Sequence, residues 1–458
     1  MGVRETLVKP QYVIPTLRVM ARRDWTSRLL TRSLAPFNPL DPRRYTDPYE
    51  LYEELRASGP LFHHHRLDGW ITSGFAESEA VLRADVSVDR NAILDVVSPY
   101  KNMDPASLDL FKSLLLTVDP PRHTRLRGLV SRAFTPRAVA RMEPRVAEVA
   151  SELLDALPAT ANRSGARRPN QVDLSAGFAS QLPIYVIGEL LGLPRDQRAR
   201  LKELSDIVAH FVDPLTGFDA MEMDLALEEL QEIFDVEIER RRRKPSDDIL
   251  SVLVSAAEDG DRLTNTELHS MILLLMAAGH ETTTGLIGNA LFWLDRNLDA
   301  RGQLVDEPDL MANAVEEFLR FDSPVQATDR LALTDIAIDG HRIREGSVIT
   351  VLLGAANRDP RKFDRPNELL VDREAPRSLS FGHGVHHCVG AALARMEARV
   401  GLAALLDRYP DYRVVHDEVR WKRSITLRGP TALPAVLVPT GSSARTGRLD
   451  AGTGPVTA

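Results

Sequence analysis

The segment from Phe381 to Gly390, FGHGVHHCVG, holds the only cysteine among 458 residues. Cys388 stands beside two histidines, and Gly382, Gly384 and Gly390 permit backbone conformations and close approaches that a Cβ atom would forbid. The residues that follow, VGAALARMEARVGLAALL, have the apolar spacing of a long helix. A helix N-terminus favours a thiolate. A thiolate at this position can act either as a nucleophile or as a metal ligand.

The composition of the segment helps to distinguish a metal ligand from a nucleophile at Cys388. A tetrahedral zinc site would need more ligands than HHC supplies. A cysteine hydrolase needs a base, which His386 or His387 could provide, but a hydrolase does not explain so many glycines. A flat macrocycle lying against the loop does, with Cys388 as the single protein ligand of its iron. The hydrolase stays as an alternative that predicts a colourless protein.

A second candidate site lies in a long apolar helix expected over residues 263–297. Thr264 and Glu267 form a capping-box pattern at its start. Some thirty residues of helix would be roughly 45 Å long, enough to cross a domain. Met271, Leu275, Ala278 and Thr282 follow one another at spacings of four, three and four residues, and therefore share one face of the helix.

The hexapeptide AGHETT, at 278–283, is unusual inside such a helix because it places an acid and two hydroxyls in an apolar setting. An unpaired buried Glu281 would be costly. We expect Thr282 to hydrogen-bond the carbonyl of Ala278 and distort the helix locally. Gly279 is expected to let a ligand approach the backbone.

FGHGVHHCVG resembles the complete haem-binding signature of the cytochrome P450 monooxygenases. The matching positions are Phe381, Gly382, Gly384, His386, Cys388 and Gly390. The resemblance extends from about residue 36 to about residue 439, and is to the soluble bacterial branch of the family. It implies haem b as the cofactor, with Cys388 as the axial iron ligand and Phe381 shielding its sulfur.

The resemblance also implies roles for residues outside the cysteine segment. Haem propionates are expected to bind His386, His123, Arg127 and Arg330, since a dianionic cofactor needs several cations. Ala278 and Gly390 are expected to lie against the cofactor. Thr282 is expected to steady bound dioxygen with an ordered water, and Glu281 to relay protons as general acid chemistry through water.

EEFLR, at 316–320, resembles the structural Glu-x-x-Arg motif of the same family. Glu317 and Arg320 stand three residues apart on one helix face. The family completes this cluster with an arginine where this chain has Glu368. We expect Arg365 or Arg373 to take its place.

Charge and composition exclude several classes of function. The net charge is −8, whereas a nucleic-acid binder should be basic. Basic residues that could form a proximal patch for an acidic electron donor, or only a solvated face, are Arg122, Arg125, Arg132 and Arg395. The run HHH at 63–65 falls in an expected strand, where neighbouring side chains point to opposite faces, so we do not expect a metal site there.

Helical periodicity dominates the chain, at 47–59, 123–134, 146–157 and 224–243. Hairpins are expected at Asp68-Gly69 and Asp339-Gly340, a polar loop at 159–171, and irregular structure over 87–111. The fold is therefore expected to be mainly α with a minor β subdomain. The resemblance implies a single large P450-type domain with haem between the long central helix and the cysteine loop. The expected organisation is a possibly amphipathic extension over 1–35, the haem domain over 36–439 and a disordered tail over 440–458.

No segment is expected to span a bilayer, since MILLLMAAG at 271–279 is shorter than the roughly 20 residues required. The N-terminal region has no signal-peptide core. A single cysteine excludes an intramolecular disulfide and gives no indication of an oxidising compartment. We therefore expect a cytoplasmic monomer that does not bind nucleic acid.

Together these features predict a monooxygenase that activates O2 to hydroxylate or epoxidise a lipophilic small molecule. Nothing in the chain resembles a fused reductase, so electrons are expected from a separate ferredoxin and ferredoxin reductase. Mostly apolar segments expected to line the pocket are 86–110, 205–225, 324–328 and 424–427, with the stripe Met271, Leu275 and Ala278. A peroxide-driven haem-thiolate enzyme and a non-catalytic haem sensor or carrier are the alternatives, and the intact Glu281–Thr282 pair counts against both.

Overall fold

A computed structural model describes residues 37–38, 41, 43–65, 67–89, 100–131, 134–160, 168–212, 219–258, 263–374 and 377–438. The predicted N-terminal extension, 1–35, and the predicted tail, 440–458, lie outside the described residues.

Helices make up most of the described chain. The α-helices are α1 (Arg43–Thr46), α2 (Tyr49–Ala57), α3 (Phe75–Arg83), α4 (Pro105–Lys112), α5 (Arg122–Ser131), α6 (Pro136–Ala156), α7 (Gln181–Leu190), α8 (Arg198–Ala209), α9 (Ala220–Arg243), α10 (Ile249–Glu258), α11 (Asn265–Arg296), α12 (Leu298–Asp306), α13 (Met311–Phe321), α14 (Leu353–Ala356) and α15 (Ala391–Arg408). A large apolar core joins the helices from α4 to α13 with α15. The expected mainly helical fold is therefore confirmed.

The β part is small. Its strands are β1 (Leu61–His64), β2 (Gly69–Thr72), β3 (Val86–Ser87), β4 (Gln171–Asp173), β5 (Thr328–Ala332), β6 (Ile336–Ile338), β7 (His341–Ile343), β8 (Val348–Val351), β9 (Arg413–Val414), β10 (Arg420–Trp421), β11 (Pro430–Ala432) and β12 (Pro434–Val436). One sheet has the order β1-β2-β8-β5-β3, with β2 and β8 parallel, and a second has the order β4-β12-β9. The pairs β6–β7 and β10–β11 stand apart.

Both predicted hairpins are confirmed. β1 pairs antiparallel with β2, and the turn between them places Asp68 at φ +49°. β6 and β7 are joined by Asp339 and Gly340, at φ +49° and +73°. Two successive residues at positive φ give the turn that matches the twist of the flanking strands.

The prediction of irregular structure over 87–111 is wrong at its end, where α4 begins at Pro105. The side chain of Asp104 accepts a hydrogen bond from the backbone N–H of Ala106 at 2.8 Å and caps the helix. Proline suits the first turn because its missing N–H would have no partner there. The dipeptide Asp-Pro was the signal for this helix start, and the sequence reading overlooked it.

The central helix α11 has 32 residues and the expected capping box. The Glu267 backbone N–H donates to the Thr264 hydroxyl, and the Thr264 N–H donates to the Glu267 carboxylate, each at 3.1 Å. By length and composition α11 could cross a bilayer, which corrects the expectation drawn from 271–279 alone. More than half of its apolar window is buried against other elements, as in the core helix of a globular domain.

Glu317 and Arg320 of α13 are fully buried and form a bidentate pair, with both nitrogen–oxygen distances at 2.7 Å. Arg373 adds its Nε atom at 3.2 and 3.0 Å from the two carboxylate oxygens. The predicted substitute for the missing arginine is therefore Arg373 and not Arg365. Glu368 takes part through its backbone carbonyl, which accepts from Arg320 at 3.1 Å, while its exposed carboxylate faces Arg365.

This cluster is connected to the cysteine loop through Asn357. Arg320 donates to the Asn357 carbonyl at 3.1 Å. The Asn357 side chain accepts from the Leu379 N–H at 2.7 Å and donates to the Ser380 hydroxyl at 2.9 Å. Leu379 and Ser380 directly precede Phe381, so the start of the loop is held by the same buried polar network.

We predict that Arg373→Ala lowers the free energy of unfolding by about 3–5 kcal/mol, because it leaves a buried carboxylate short of one partner. Urea unfolding followed by circular dichroism measures the change. Arg365→Ala is the control, since an exposed ion pair contributes only about 0–1 kcal/mol. Equal effects of the two substitutions would contradict the assignment of Arg373 to the buried cluster.

Candidate active site

The cysteine loop depends on two glycines in the left-handed region. Gly382 and Gly384 have φ values of +69° and +72°. A Cβ atom on Gly384 would lie 2.7 Å from the Leu82 carbonyl oxygen of α3. The backbone N–H of Cys388 donates to the Phe381 carbonyl at 2.9 Å and closes the loop. α15 begins three residues after the cysteine, at Ala391.

Cys388 has solvent-exposed surface, although many protein atoms surround its sulfur. Burial raises its pKa, and the N–H of Gly390 with the charges of Arg127 and Arg395 only partly oppose this rise. The expectation that the helix N-terminus favours a thiolate stays a prediction. A metal cation at the sulfur would deprotonate it outright.

Phe381 packs beside the loop it begins. Its ring is half-buried and lies 4.5 Å from the guanidinium carbon of Arg395. Arg395, on α15, also pairs with Glu316 on α13. Phe381 is thus fixed between the cysteine loop and the helix that follows it.

The structure brings His123 and His386 together from distant parts of the chain. Their ring centroids are 4.1 Å apart. Each has a buried Nε2 atom with no hydrogen-bond partner among the described residues. The only carboxylate near His386 in this part of the structure is Asp119, whose oxygen lies 3.7 Å from Nε2.

The predicted propionate ligands form a cationic cluster. Burial, followed by the charges of His123, Arg330 and Arg127, lowers the pKa of His386 to about 4. Burial and Arg127 also lower the pKa of His123. Arg330 on β5 is buried, and donates to the Thr328 hydroxyl and the Asp329 carbonyl, both at 2.8 Å.

Such an arrangement fits a dianionic group. Buried imidazole nitrogens without partners are costly, and cations crowded together destabilise one another. Two carboxylates would accept hydrogen bonds from the imidazole nitrogens and would neutralise the neighbouring cations. With the thiol of Cys388 nearby, the residues present therefore suit haem, whose propionates and iron require these partners.

Ala278 is exposed although it lies in the middle of the largely buried helix α11. The hydroxyl of Thr282 donates to the Ala278 carbonyl at 2.9 Å, as the sequence predicted. Thr283 makes the same kind of bond to Gly279 at 3.1 Å. A Cβ atom on Gly279 would lie 3.4 Å from the nearest side-chain atom of Ile187 on α7, an ordinary packing contact. The expectation that Gly279 lets a ligand approach the backbone stays a prediction.

Glu281 has a partner that the sequence did not indicate. Lys422 donates to its carboxylate at 2.5 Å, and the Glu281 side chain is only 9% exposed. Lys422 lies in the C-terminal β region, 141 positions away. Only the tertiary structure shows that Lys422 is the cation that offsets the cost of burying the Glu281 carboxylate.

His280 locks α11 to α8. Its Nε2 atom lies 3.1 Å from the Asp206 carboxylate, and its Nδ1 lies 3.2 Å from the Ser205 hydroxyl. Burial opposes ionisation of Asp206, but hydrogen bonds and charge from His280 and Lys202 outweigh it and hold the pKa of Asp206 well below its usual range. The sequence reading passed over His280, since one histidine in an apolar helix carries little signal.

Predicted pocket segments meet one another. Tyr100 of 86–110 donates to the Phe211 carbonyl of 205–225 at 2.8 Å. Phe111, just beyond the first segment, stacks on Phe211 with ring centroids 3.7 Å apart. Thr426 donates to the Val212 carbonyl at 3.3 Å and accepts at its carbonyl from the Gln326 N–H at 2.7 Å. Residues 90–99 and 213–218 of these segments lie outside the described chain. Met271 and Leu275 of the stripe are buried, unlike Ala278.

The predicted basic patch is largely neutralised. Arg122 and Arg125 both bind Glu267, at 2.9 and 2.6 Å, and Arg395 binds Glu316. Arg132 lies outside the described residues. Three of the four predicted cations therefore already have carboxylate partners.

Comparison with known proteins shows the family of this chain. The family model described as Cytochrome P450 matches residues 99–411. The polyketide biosynthesis cytochrome P450 PksS of Bacillus subtilis (strain 168) is 33% identical over 414 residues, covering 88% of this chain and 98% of that protein. The cytochrome P450 monooxygenase PikC of Streptomyces venezuelae is 38% identical over 396 residues, covering 85% and 90%.

Solved structures share the fold. The tirandamycin C-bound P450 monooxygenase TamI superposes with a TM-score of 0.76 at 37% identity, covering 87% of this chain and 99% of that one. The family model and these relatives, matched over nearly their whole length, lead to one conclusion: this chain belongs to the cytochrome P450 family of haem-dependent monooxygenases.

Proposed function

We propose that this enzyme uses O2 and two electrons to hydroxylate or epoxidise a lipophilic small molecule, releasing the second oxygen atom as water. The observation that carries the proposal is the cysteine loop, whose His386 packs against His123 beside Arg127 and Arg330. The exposed Ala278 and the Thr282 hydroxyl on α11 support it. Electrons come from a separate ferredoxin and its reductase. The protein works as a cytoplasmic monomer.

The residues of the proximal side hold the cofactor. When bound, haem b supplies the iron at which O2 is activated. Cys388 provides the thiolate ligand, and Phe381 covers the sulfur. His123, Arg127, Arg330 and His386 neutralise the propionates, while Gly390 and Ala278 allow the ring to lie close to the backbone.

Proton delivery is assigned to α11. The Thr282 hydroxyl, turned towards the Ala278 carbonyl, orients a water molecule beside the reacting oxygen. Glu281 passes protons to that water. Lys422 holds the Glu281 carboxylate in place. The Glu281–Thr282 pair favours an O2-dependent enzyme over a peroxide-driven one and over a haem sensor or carrier.

The substrate is lipophilic. Aromatic rings of Phe111 and Phe211 and the aliphatic side chains of 324–328 and 424–427 supply contacts without charge. Among the relatives, PksS is named for polyketide biosynthesis and TamI was crystallised with tirandamycin C. These names favour a polyketide-like molecule over a small polar metabolite.

The direct test is the absorption spectrum of the purified, reduced protein under carbon monoxide. We expect a strongly red-shifted Soret band, because thiolate ligation donates electron density to the iron. Cys388→Ser should lose that shift while retaining the fold. A colourless wild-type protein, even after haem supplementation during expression, would overturn the assignment and favour the cysteine hydrolase.

We predict that Thr282→Ala diverts electrons from product to hydrogen peroxide, since proton delivery loses its hydroxyl. The measurement is the ratio of peroxide formed to NAD(P)H consumed, with a surrogate ferredoxin and reductase. Thr283→Ala is a matched control, because Thr283 makes the same bond on the buried side of the helix. Equal coupling in wild type and Thr282→Ala would remove this role from Thr282.

We predict that haem-free protein gains stability as pH rises from about 4 to about 6.5. The folded-state pKa of His386 is lowered to about 4, so the unfolded chain binds more protons in that interval. His386→Gln should flatten the dependence, and haem-loaded protein should show less of it, because propionates favour protonated imidazole. Thermal unfolding at several pH values measures this, with exposed His341→Gln as the control. Parallel curves for wild type and His386→Gln would refute it.

A further inference from the structure

The three consecutive histidines at 63–65 are divided between two faces of the β1–β2 hairpin. His64 is buried, and its Nδ1 accepts a hydrogen bond from the Leu67 N–H at 3.1 Å. His63, half-buried, and His65, exposed, lie on the other face. Alternation along a strand therefore excludes a site made of all three residues, but it brings the outer two together.

The outer pair has the separation of two metal ligands. The Nδ1 atoms of His63 and His65 are 3.3 Å apart, with ring planes at 70°. Two imidazole nitrogens, each roughly 2.0–2.1 Å from a tetrahedral metal ion, lie about 3.3 Å from each other. Without metal the same geometry lets one Nδ1–H donate to the other ring.

A carboxylate stands behind one of the two rings. The Nε2 atom of His63 lies 3.5 Å from Asp68 Oδ1, in the hairpin turn. Metal-binding histidines commonly direct their second nitrogen to a carboxylate, which fixes the ring orientation and raises the basicity of the ligand nitrogen. Asp68 is thus placed to support His63 without touching the metal.

We propose that His63 and His65 form a surface site for a divalent transition metal ion, with Asp68 as the supporting carboxylate and water completing the coordination. Imidazole ligands suit Cu²⁺ and Zn²⁺, and Cu²⁺ binds more tightly in the general order of these ions. The site shares none of the residues assigned to haem, so it stands whatever the fate of the proposed function.

Trp70 makes the site measurable. Its ring centroid lies 5.3 Å from that of His63, so bound paramagnetic Cu²⁺ should quench its fluorescence. Titration of the full-length haem protein with Cu²⁺ should show saturable quenching at one equivalent, which Trp70→Phe removes. Electron paramagnetic resonance of Cu²⁺ bound to the wild-type protein should show coupling to two nitrogen nuclei. This measurement tests the site without any substitution.

Variants decide between a built site and adventitious binding. His63→Ala and His65→Ala should each weaken Cu²⁺ at least tenfold, and Asp68→Asn about tenfold. His341→Ala is the matched control, because His341 also packs on Trp70, at 5.5 Å, but is not part of the pair. Unchanged affinity in His63→Ala or His65→Ala, or an equal loss in His341→Ala, would overturn the proposal.

Discussion

The buried carboxylate of Glu317 is the charge around which the proximal side of the molecule is arranged. Removing such a group from water is unfavourable unless every oxygen is matched, and here two guanidinium groups and one backbone N–H meet it. Because Arg320 also donates to carbonyls of the following loops, satisfying one charge fixes several segments at once. Asn357 transmits that order to the residues just before Phe381.

The cysteine loop shows why this rigidity matters. Burial raises the pKa of the Cys388 thiol, and burial with the nearby arginine charges lowers the pKa of His123 and His386. Neither feature stabilises the polypeptide alone. A dianionic metal cofactor would favour both the thiolate and the protonated imidazoles, so part of its binding energy would offset these costs.

The long helix α11 faces a different constraint. It must remain apolar to pack in the core, yet carry an acid and hydroxyls at one turn. Intrahelical bonds from Thr282 and Thr283 satisfy the hydroxyls locally. The Glu281 carboxylate has its partner outside the helix, in Lys422. His280 in the same turn contacts Asp206 on α8. The turn at 278–283 is therefore held by two other parts of the chain.

The sequence by itself was enough to predict helix caps, turns and hydrogen bonds between residues close together in the chain. Capping at Thr264, turns at Asp68-Gly69 and Asp339-Gly340, the long helix after Cys388 and the bond from Thr282 to Ala278 all depend on residues at most a few positions apart, and each is present. The haem signature was equally readable, because one short loop carries it.

Pairings across the chain were decided only by tertiary structure. Which arginine replaces the one expected at Glu368, which lysine meets Glu281, and which of three histidines face each other depend on how distant segments pack. Gly279 illustrates the limit, since nothing in its neighbours predicted contact with Ile187. Sequence determines what each residue can bond locally, whereas burial determines which distant charge it must find, because only burial makes an unpaired charge too costly to leave.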